Sequence, residues 1–311
     1  MGQKCMTDNK LTAPAVHSLD SFSLSVPDVE EAQRYYEAFG LDVRSESGFL
    51  TLRTFGDDHI WAYLREGPAK KLLSIRLGIY DRDREALASR IDDVRIAPAD
   101  GEVNGLWCQA PGGLPIELAV AAKSSPDHKP PFGLPSGFAQ GRGAAPRSKC
   151  NTVRPRRLAH IALFTPDVSA AIRFYTERLG LRLSDRSGDD VAFLHGPHGS
   201  DHHLVAFARS PHVGLHHSSW DVASFSDVGM GAMQMARAGY AAGWGLGRHV
   251  LGSNYFHYVR DPWGSYAEYS ADMDFIPADT SWVAGDHPPE DSFFQWGPPP
   301  PDDMARNYEL P

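Results

Sequence analysis

The sequence contains few cysteines and no long apolar run, and each absence argues against a class of protein. The three cysteines, Cys5, Cys108 and Cys150, are odd in number and widely spaced in a chain of 311 residues. This spacing fits a reducing compartment better than a disulfide framework or a thiolate metal site. No segment approaches the roughly 20 apolar residues of a membrane helix, and the start MGQKCMTDNKLTAP has no apolar core like that of a secretory signal. We therefore expect a cytoplasmic protein with no membrane partner.

Basic residues are also too few for a nucleic-acid-binding protein. The 30 Lys and Arg residues are outnumbered by 39 Asp and Glu residues, which gives a net charge of -9 at pH 7. Since no basic stripe offsets the repulsion from phosphates, we exclude nucleic acid as a partner. Hydrophobic residues make up 42% and aromatic residues 11% of the chain, which is ample for the buried cores of about two domains.

The chain contains an internal repeat. SLDSFSLSVPDVEEAQRYYEAFGLDV and RLAHIALFTPDVSAAIRFYTERLGLRL, which begin at residues 18 and 157, both predict a short strand followed by a helix. Asp28 and Asp167 are the predicted N-caps, and Gly40 and Gly180 supply the left-handed residue after each helix. Further strand segments follow at equivalent places, among them FLTLRTF and HIWAYL in the first copy and VAFLHG and HHLVAFA in the second. The repeat predicts an α+β fold of tandem paired βαβββ modules that form two cup-shaped mixed sheets.

Composition sets the predicted boundaries of these modules. The segment between the copies is rich in Pro, Gly and Ser, which marks a long connection. The last forty or so residues are Pro-rich but carry several aromatic residues, so we expect them to pack on the body or on a neighbouring subunit, with only the end loose. The predicted divisions are an N-terminal tail at 1–15, a metal-free module at 16–122, a linker at 123–156, a metal-binding catalytic module at 157–272 and a C-terminal tail at 273–311.

The second copy carries two adjacent histidine pairs, His202-His203 and His216-His217, within DHHLVAFARSPHVGLHHSSWDV. Side chains alternate between the two faces of a strand, so one histidine of each pair is expected to point inward and the other away. By alignment with LAHIALF, His217 rather than His216 should share the face of His160. The remaining histidines are interpreted as exposed or structural: His195, His198, His202, His212, His216 and His257.

Alignment of the two copies singles out three residues of the second. It puts two histidines and a glutamate opposite two serines and a glutamate: His160 opposite Ser21, His217 opposite Ser74, and Glu268 opposite Glu117. Two imidazoles and one carboxylate form the facial triad that suits non-haem Fe(II) and leaves about three coordination positions free. Mn(II) accepts the same ligands and is the alternative ion. Serine hydroxyls are poor ligands for a divalent ion, which is why the first module is predicted to be metal-free.

The sequence resembles the vicinal oxygen chelate superfamily and, within it, the two-module type I extradiol ring-cleaving dioxygenases. The resemblance spans about residues 18–271 and is carried by HHLVA, by LHH before a strand, and by GRHVLGSNYFHYVRDPWGSYAEY. It implies that the second module retains its metal ligands while the first has lost them. It also implies that a small catechol-type diol and O2 are the substrates, that the ring is cleaved next to the diol, and that the protein is a homo-oligomer.

The resemblance implies roles for three further residues. His203, the second histidine of the HHxxA pair, corresponds to the family's acid–base histidine. Tyr258 and His249 lie ten and nineteen residues before Glu268, as the family requires, and would hydrogen-bond the bound substrate oxygen. Leu251 stands where the family often has an asparagine, two residues beyond that histidine.

Three alternative functions share the fold. A hydroxyphenylpyruvate dioxygenase-like oxygenase also places His, His and Glu in its second module, but that type lacks the HHxxA pair. A glyoxalase-like isomerase divides its ligands between both modules, which Ser21 and Ser74 argue against. A binding protein of the bleomycin-resistance kind would sequester a ligand without metal, and metal analysis would distinguish it. The sequence does not indicate which catechol is cleaved, or on which side of the diol.

Overall fold

The fold consists of two large mixed β-sheets, each built from one copy of the repeat. It is seen in a computed structural model that describes residues 13–46, 48–91, 105–133 and 144–309. Most of the predicted N-terminal tail, with Cys5, and residues 134–143 of the predicted linker lie outside these residues. The α+β class and the two mixed sheets confirm the predicted fold class. Within the described ranges, no helix has the length and apolar character needed to cross a membrane.

The first sheet has seven strands in the order β2-β3-β4-β1-β5-β7-β6. Its central strand β1 pairs parallel with β4 and antiparallel with β5, and β5 pairs parallel with β7. The two halves of this sheet, β1 to β4 and β5 to β7, therefore meet along the β1–β5 pair. Its strands are β1 (Val16–Val26), β2 (Asp42–Glu46), β3 (Phe49–Arg53), β4 (Ala62–Glu66), β5 (Lys71–Ile79), β6 (Leu106–Gln109) and β7 (Pro115–Val120).

The second sheet repeats this order and extends it at both edges. The order is β18-β9-β10-β12-β8-β13-β16-β15-β14-β19, so β8, β13 and β16 take the places of β1, β5 and β7. Strands β11 and β17 pair separately. The strands are β8 (Arg157–Thr165), β9 (Arg182–Ser187), β10 (Val191–His195), β11 (Ser200–Asp201), β12 (Val205–Arg209), β13 (Gly214–Asp221), β14 (Gly243–His249), β15 (Tyr255–Arg260), β16 (Tyr266–Ala271), β17 (Phe275–Ile276), β18 (Gly285–Asp286) and β19 (Phe294–Trp296).

The helices begin and end where the repeat predicts. The side chains of Asp28 and Asp167 accept hydrogen bonds from the backbone N–H groups three residues later, and Gly40 and Gly180 adopt positive φ. Helix α1 also joins the modules, because Phe39 stacks on Tyr269 with ring centroids 3.9 Å apart. The helices are α1 (Val29–Phe39), α2 (Arg84–Ala88), α3 (Val168–Arg173), which continues as a π-turn to Arg178, and α4 (Phe225–Arg237).

The C-terminal tail packs on the body, as its aromatic residues predict. It supplies both edge strands, β18 and β19, of the second sheet. The prediction that its end is loose is wrong as far as Glu309, which is buried and accepts a 2.7 Å hydrogen bond from Nζ of the buried Lys70. Glu309 also accepts from the backbone N–H groups of Leu72 and Leu215, one in each module. A buried charge requires such partners, so this carboxylate fastens the end of the tail to both modules.

Candidate metal centre

Three adjacent strands bring His160, His217 and Glu268 together. They lie on β8, β13 and β16, and Ser219 of β13 is the Cα partner of both His160 and Glu268. His217 lies two residues before Ser219, which places it on the same face of the strand. The register therefore positions two imidazoles and one carboxylate over a single point of the sheet.

The donor atoms of these three residues converge. Nε2 of His160 lies 3.1 Å from Nε2 of His217, and Oε2 of Glu268 lies 3.4 Å and 3.7 Å from these two nitrogens. All three side chains are buried. Among the residues that the structure describes, they form the one group of three or more His, Cys, Asp or Glu residues with ligand atoms within 4.8 Å of one another.

The chemistry of this donor set fits a divalent cation. Burial lowers the pKa of His217 well below its usual value, so its ring is neutral. Burial would raise the pKa of Glu268, but pairing with His160 and His249 holds it well below the usual value and keeps the carboxylate ionised. Oε2 of Glu268 is buried and receives no hydrogen bond of normal geometry, although Nε2 of His160 lies 3.4 Å away. A buried, charged oxygen is costly when it is unpaired, and a bound cation would supply the missing partner.

His216 does not point away from the site, and that part of the alternation prediction is wrong. The pairing of β13 with β8 shifts register between Leu215 and His217, which disturbs strict alternation at this pair. Nδ1 of His216 lies 2.7 Å from Nδ1 of His217, and its ring also hydrogen-bonds the main chain of Met304. Burial lowers the pKa of His216 to about 4, so a neutral imidazole supports the neighbouring candidate ligand.

The pair His202-His203 precedes β12 and does not lie within it, so alternation does not apply there either. The His203 ring lines the cavity above the three candidate ligands, with its centroid 4.1 Å from that of His160. Burial, and then the charges of neighbouring histidines, lower the pKa of His203 well below its usual value. His202 is buried and hydrogen-bonded to both His203 and Asp185, so it is structural and not exposed.

Tyr258 and His249 form a second group of polar side chains beside Glu268. Nε2 of His249 lies 2.9 Å from the hydroxyl of Tyr258 and 3.7 Å from Oε1 of Glu268. Burial, and then the charge of Glu268, raise the pKa of Tyr258 well above its usual value, so the phenol keeps its proton. Asn254, which the sequence reasoning missed, donates to Oε1 of Glu268 at 3.2 Å and to the hydroxyl of Ser270 at 3.0 Å. An asparagine in a turn between two strands gave only a weak signal for this role.

The candidate ligands form the floor of a cavity of about 430 Å³. Its walls are largely apolar, and none of the residues that line it is Lys or Arg. The carboxylates of Asp190 and Asp302 lie among the lining residues and are exposed. The C-terminal tail contributes much of one wall, with Phe293, Pro300, Pro301, Met304 and Ala305.

The equivalent position in the first module holds a different set of side chains. The registers of β1, β5 and β7 place Arg76 opposite Ser21 and Glu117, where the second module has Ser219. Nε of Arg76 lies 3.5 Å from a carboxylate oxygen of Asp20 and 3.6 Å from one of Glu117. A guanidinium thus supplies the positive charge at this position, which supports the prediction that the first module is metal-free.

Known proteins resemble this chain in sequence and in fold. Residues 157–269 match the model of the Glyoxalase/Bleomycin resistance protein/Dioxygenase superfamily. The chain is 48% identical to metapyrocatechase 2 of Cupriavidus necator, over 95% of this chain and 93% of that protein. It is 31% identical to a biphenyl-2,3-diol 1,2-dioxygenase of Paraburkholderia xenovorans, over 68% and 67%. The crystal structure of the Mn(II)-bound glyoxalase from Novosphingobium aromaticivorans aligns with a TM-score of 0.73 at 25% identity, covering 94% of this chain and 95% of that one.

Proposed function

We propose that this chain opens the ring of an uncharged catechol at one Fe(II). The chain belongs to the extradiol ring-cleaving dioxygenases of the Glyoxalase/Bleomycin resistance protein/Dioxygenase superfamily. The ligands of the Fe(II) would be His160, His217 and Glu268. The observation that carries the proposal is the convergence of these three donors, with one unpartnered carboxylate oxygen, on the floor of a cavity.

Fe(II) is the ion that this donor set favours, since two imidazoles and one carboxylate on one face leave room for a bidentate diol and O2. When bound, the metal supplies a template for both reactants and a path for electrons between them. Mn(II) is the alternative, because it accepts the same ligands and because the similar glyoxalase holds Mn(II).

His203 would act as the general base and acid. Its ring lines the cavity beside His160, within reach of a molecule that lies over the three ligands. Its neutral state leaves one ring nitrogen free to take a proton from a substrate hydroxyl, and the same nitrogen can return that proton later in the reaction. Such proton transfer by a positioned side chain contributes about 10²–10⁴-fold to enzymatic rates.

Tyr258 and His249, which line the same cavity, would orient the diol. The phenol of Tyr258 retains its proton, so it can donate a hydrogen bond to a deprotonated substrate oxygen beside Glu268. Nδ1 of His249 donates to the main-chain oxygen of Phe293 at 2.8 Å, so Nε2 of a singly protonated ring accepts from the Tyr258 hydroxyl, and this phenol proton would turn to the substrate oxygen when the diol binds. The side-chain amide of Asn254 donates a hydrogen bond to the carboxylate of Glu268, which would orient this carboxylate toward the metal.

The cavity favours a neutral catechol, and one that carries an apolar substituent. Ligand cavities in proteins are roughly 300–1,000 Å³, and the present one lies within that range. Because catechol itself is a single ring with two hydroxyls, the cavity has room for a substituent on that ring. Its apolar walls would bury an alkyl or aryl substituent, whose transfer from water is favourable. A carboxylate on the ring would find no Lys or Arg among the lining residues and would meet Asp190 and Asp302 instead.

A direct assay tests the proposal. The purified protein is loaded with Fe(II) under anaerobic conditions, mixed with a panel of catechols, and then exposed to air. A yellow ring-opened product with consumption of O2, absent when His217→Ala is treated with Fe(II) in the same way, is the expected result. Binding of catechol without O2 consumption by the iron-loaded wild type would favour a sequestering protein and contradict the proposal.

A further inference from the structure

A chain of hydrogen bonds runs from the cavity to the protein surface through His203. Nδ1 of His203 lies 3.1 Å from Nδ1 of His202, and Nε2 of His202 lies 2.8 Å from Oδ2 of Asp185. The other carboxylate oxygen, Oδ1, accepts from Nε2 of His287 at 2.9 Å and from the backbone N–H of Gly285 at 2.8 Å. His202 and His203 are buried, whereas the side chain of His287 is 34% exposed.

The acceptors in this chain determine which ring nitrogen carries a proton. Burial would raise the pKa of Asp185, but hydrogen bonds from His202 and His287 outweigh it and hold the pKa below its usual value. An ionised carboxylate only accepts hydrogen bonds, so the proton of His202 lies on Nε2. The bare Nδ1 of His202 then accepts the Nδ1–H of His203. Nε2 of His203 is therefore the ring nitrogen that remains unprotonated.

We propose that His202 and Asp185 are positioning residues that hold His203 in the tautomer whose unprotonated Nε2 serves the substrate. Neither residue belongs to the candidate ligand group or lines the cavity, so both act through His203. The inference rests on the proposed function, because it takes His203 as the general base. It also gives a reason for two adjacent histidines where one acid–base residue would suffice.

The substitution Asp185→Asn reverses the tautomer while it preserves the shape of the side chain. The N–H groups of Gly285 and His287 both donate to Oδ1, so the amide oxygen of the new side chain takes that position. Its NH2 group then faces Nε2 of His202, which must accept. The proton of His202 moves to Nδ1, where it is donated to Nδ1 of His203, and the proton of His203 moves to Nε2. In serine protease triads the same change of carboxylate to amide lowers kcat about 10⁴-fold through the wrong tautomer.

Two measurements on the metal-loaded protein report the change. The first is long-range ¹H–¹⁵N NMR of histidine-labelled protein with diamagnetic Zn(II) in place of iron. We expect His203 to carry its proton on Nδ1 in the wild type and on Nε2 in Asp185→Asn. The second is steady-state kinetics with matched iron content, in which kcat should fall by about 10²–10⁴-fold while KM for catechol stays unchanged.

Asp286→Asn is the matched control. Asp286 lies on β18, which pairs with the strand of Asp185, but its carboxylate is largely exposed and accepts from the backbone N–H of Gly188. Its replacement should change neither the tautomer of His203 nor kcat.

A second pair of variants separates positioning from simple packing. Oδ1 of an asparagine reaches about as far from the backbone as Nδ1 of a histidine, so His202→Asn keeps an acceptor for His203 whereas His202→Phe removes it. We expect His202→Asn to retain more of the wild-type kcat than His202→Phe, although phenylalanine fills the space of the ring more closely.

Three results would overturn the proposal. They are an identical His203 tautomer in the wild type and Asp185→Asn, a wild-type His202 protonated on both ring nitrogens, and equal kcat in His202→Asn and His202→Phe. The first two results come from NMR and require no turnover, and the third is measured only where the wild type turns over, so all three are distinguishable from a failure of the proposed function, in which the iron-loaded wild type opens no catechol ring.

Discussion

Replacing the histidines of the His216-His217 pair one at a time separates the proposed metal ligand, His217, from the residue that supports it. His217→Ala removes one of the three proposed ligands, and we expect iron to be lost on dialysis. His216→Ala leaves all three ligands but deletes the partner at 2.7 Å that receives Nδ1–H of His217 and fixes the orientation of its ring. Loss of such a partner usually weakens metal affinity by about 10–100-fold. This corresponds to roughly 1.4–2.8 kcal/mol, because each 1.4 kcal/mol is a factor of ten.

Anaerobic titration with Fe(II) against a competing chelator measures this difference. His216→Asn, which keeps an acceptor near the position of Nδ1, should recover part of the affinity, and His212→Ala at an exposed histidine should match the wild type. The expected order of affinity is wild type, then His216→Asn, then His216→Ala, with His217→Ala weakest. Wild-type affinity in His216→Ala would refute the role of the hydrogen bond. Tighter iron binding in His217→Ala than in His216→Ala would refute the assignment of the ligand.

Four further predictions test the site and the fold. His203→Phe should retain iron and bind catechol, while its kcat falls about 10²–10⁴-fold; turnover near that of the wild type would contradict the acid–base role. Metal analysis should approach one ion per chain and be unaffected by Glu117→Gln, whereas two ions would disprove a metal-free first module. The kcat/KM for a carboxylated catechol should be lower by roughly tenfold or more than for an alkyl catechol of similar size, because the carboxylate is buried unpaired; equal values would contradict the substrate preference. Glu309→Gln leaves buried Lys70 without its counter-charge and should cost about 3–5 kcal/mol in chemical unfolding, against no change in the exposed control Glu290→Gln.

The repeat made the fold and the three candidate ligands predictable from sequence. Two copies of one pattern must fold in equivalent ways, so equivalent residues occupy equivalent strand positions. Alignment therefore placed His160, His217 and Glu268 on one sheet face without any knowledge of the contacts between strands. The structure brings these residues together through the shared pairing of Ser219, a detail of register that no single segment of sequence contains.

Strand alternation failed at both histidine pairs, for two different physical reasons. At His216 the register shifts within β13, so both neighbours reach the same cavity wall. At His202 the chain has not yet entered β12, so no pleat sets the direction of its side chain. Met304, the partner of His216, lies in the C-terminal tail, far from His216 in sequence, so this contact depends on where the tail packs. Asp185, the partner of His202, lies on β9 of the same sheet, so this contact depends on how β9 is placed beside the turn before β12.

The two histidine pairs are built alike once their outer partners are included. In each pair the first histidine forms a hydrogen bond outside the pair, His216 with the main chain of Met304 and His202 with the carboxylate of Asp185. In each pair it also meets the second histidine through Nδ1, at 2.7 Å and 3.1 Å. Nδ1 of the second histidine is thereby occupied, which leaves its Nε2 for another partner. Under the proposed function, the same arrangement would prepare one imidazole to bind a metal and another to accept a proton, and the two would differ in whether Nε2 meets the other candidate ligands or the substrate.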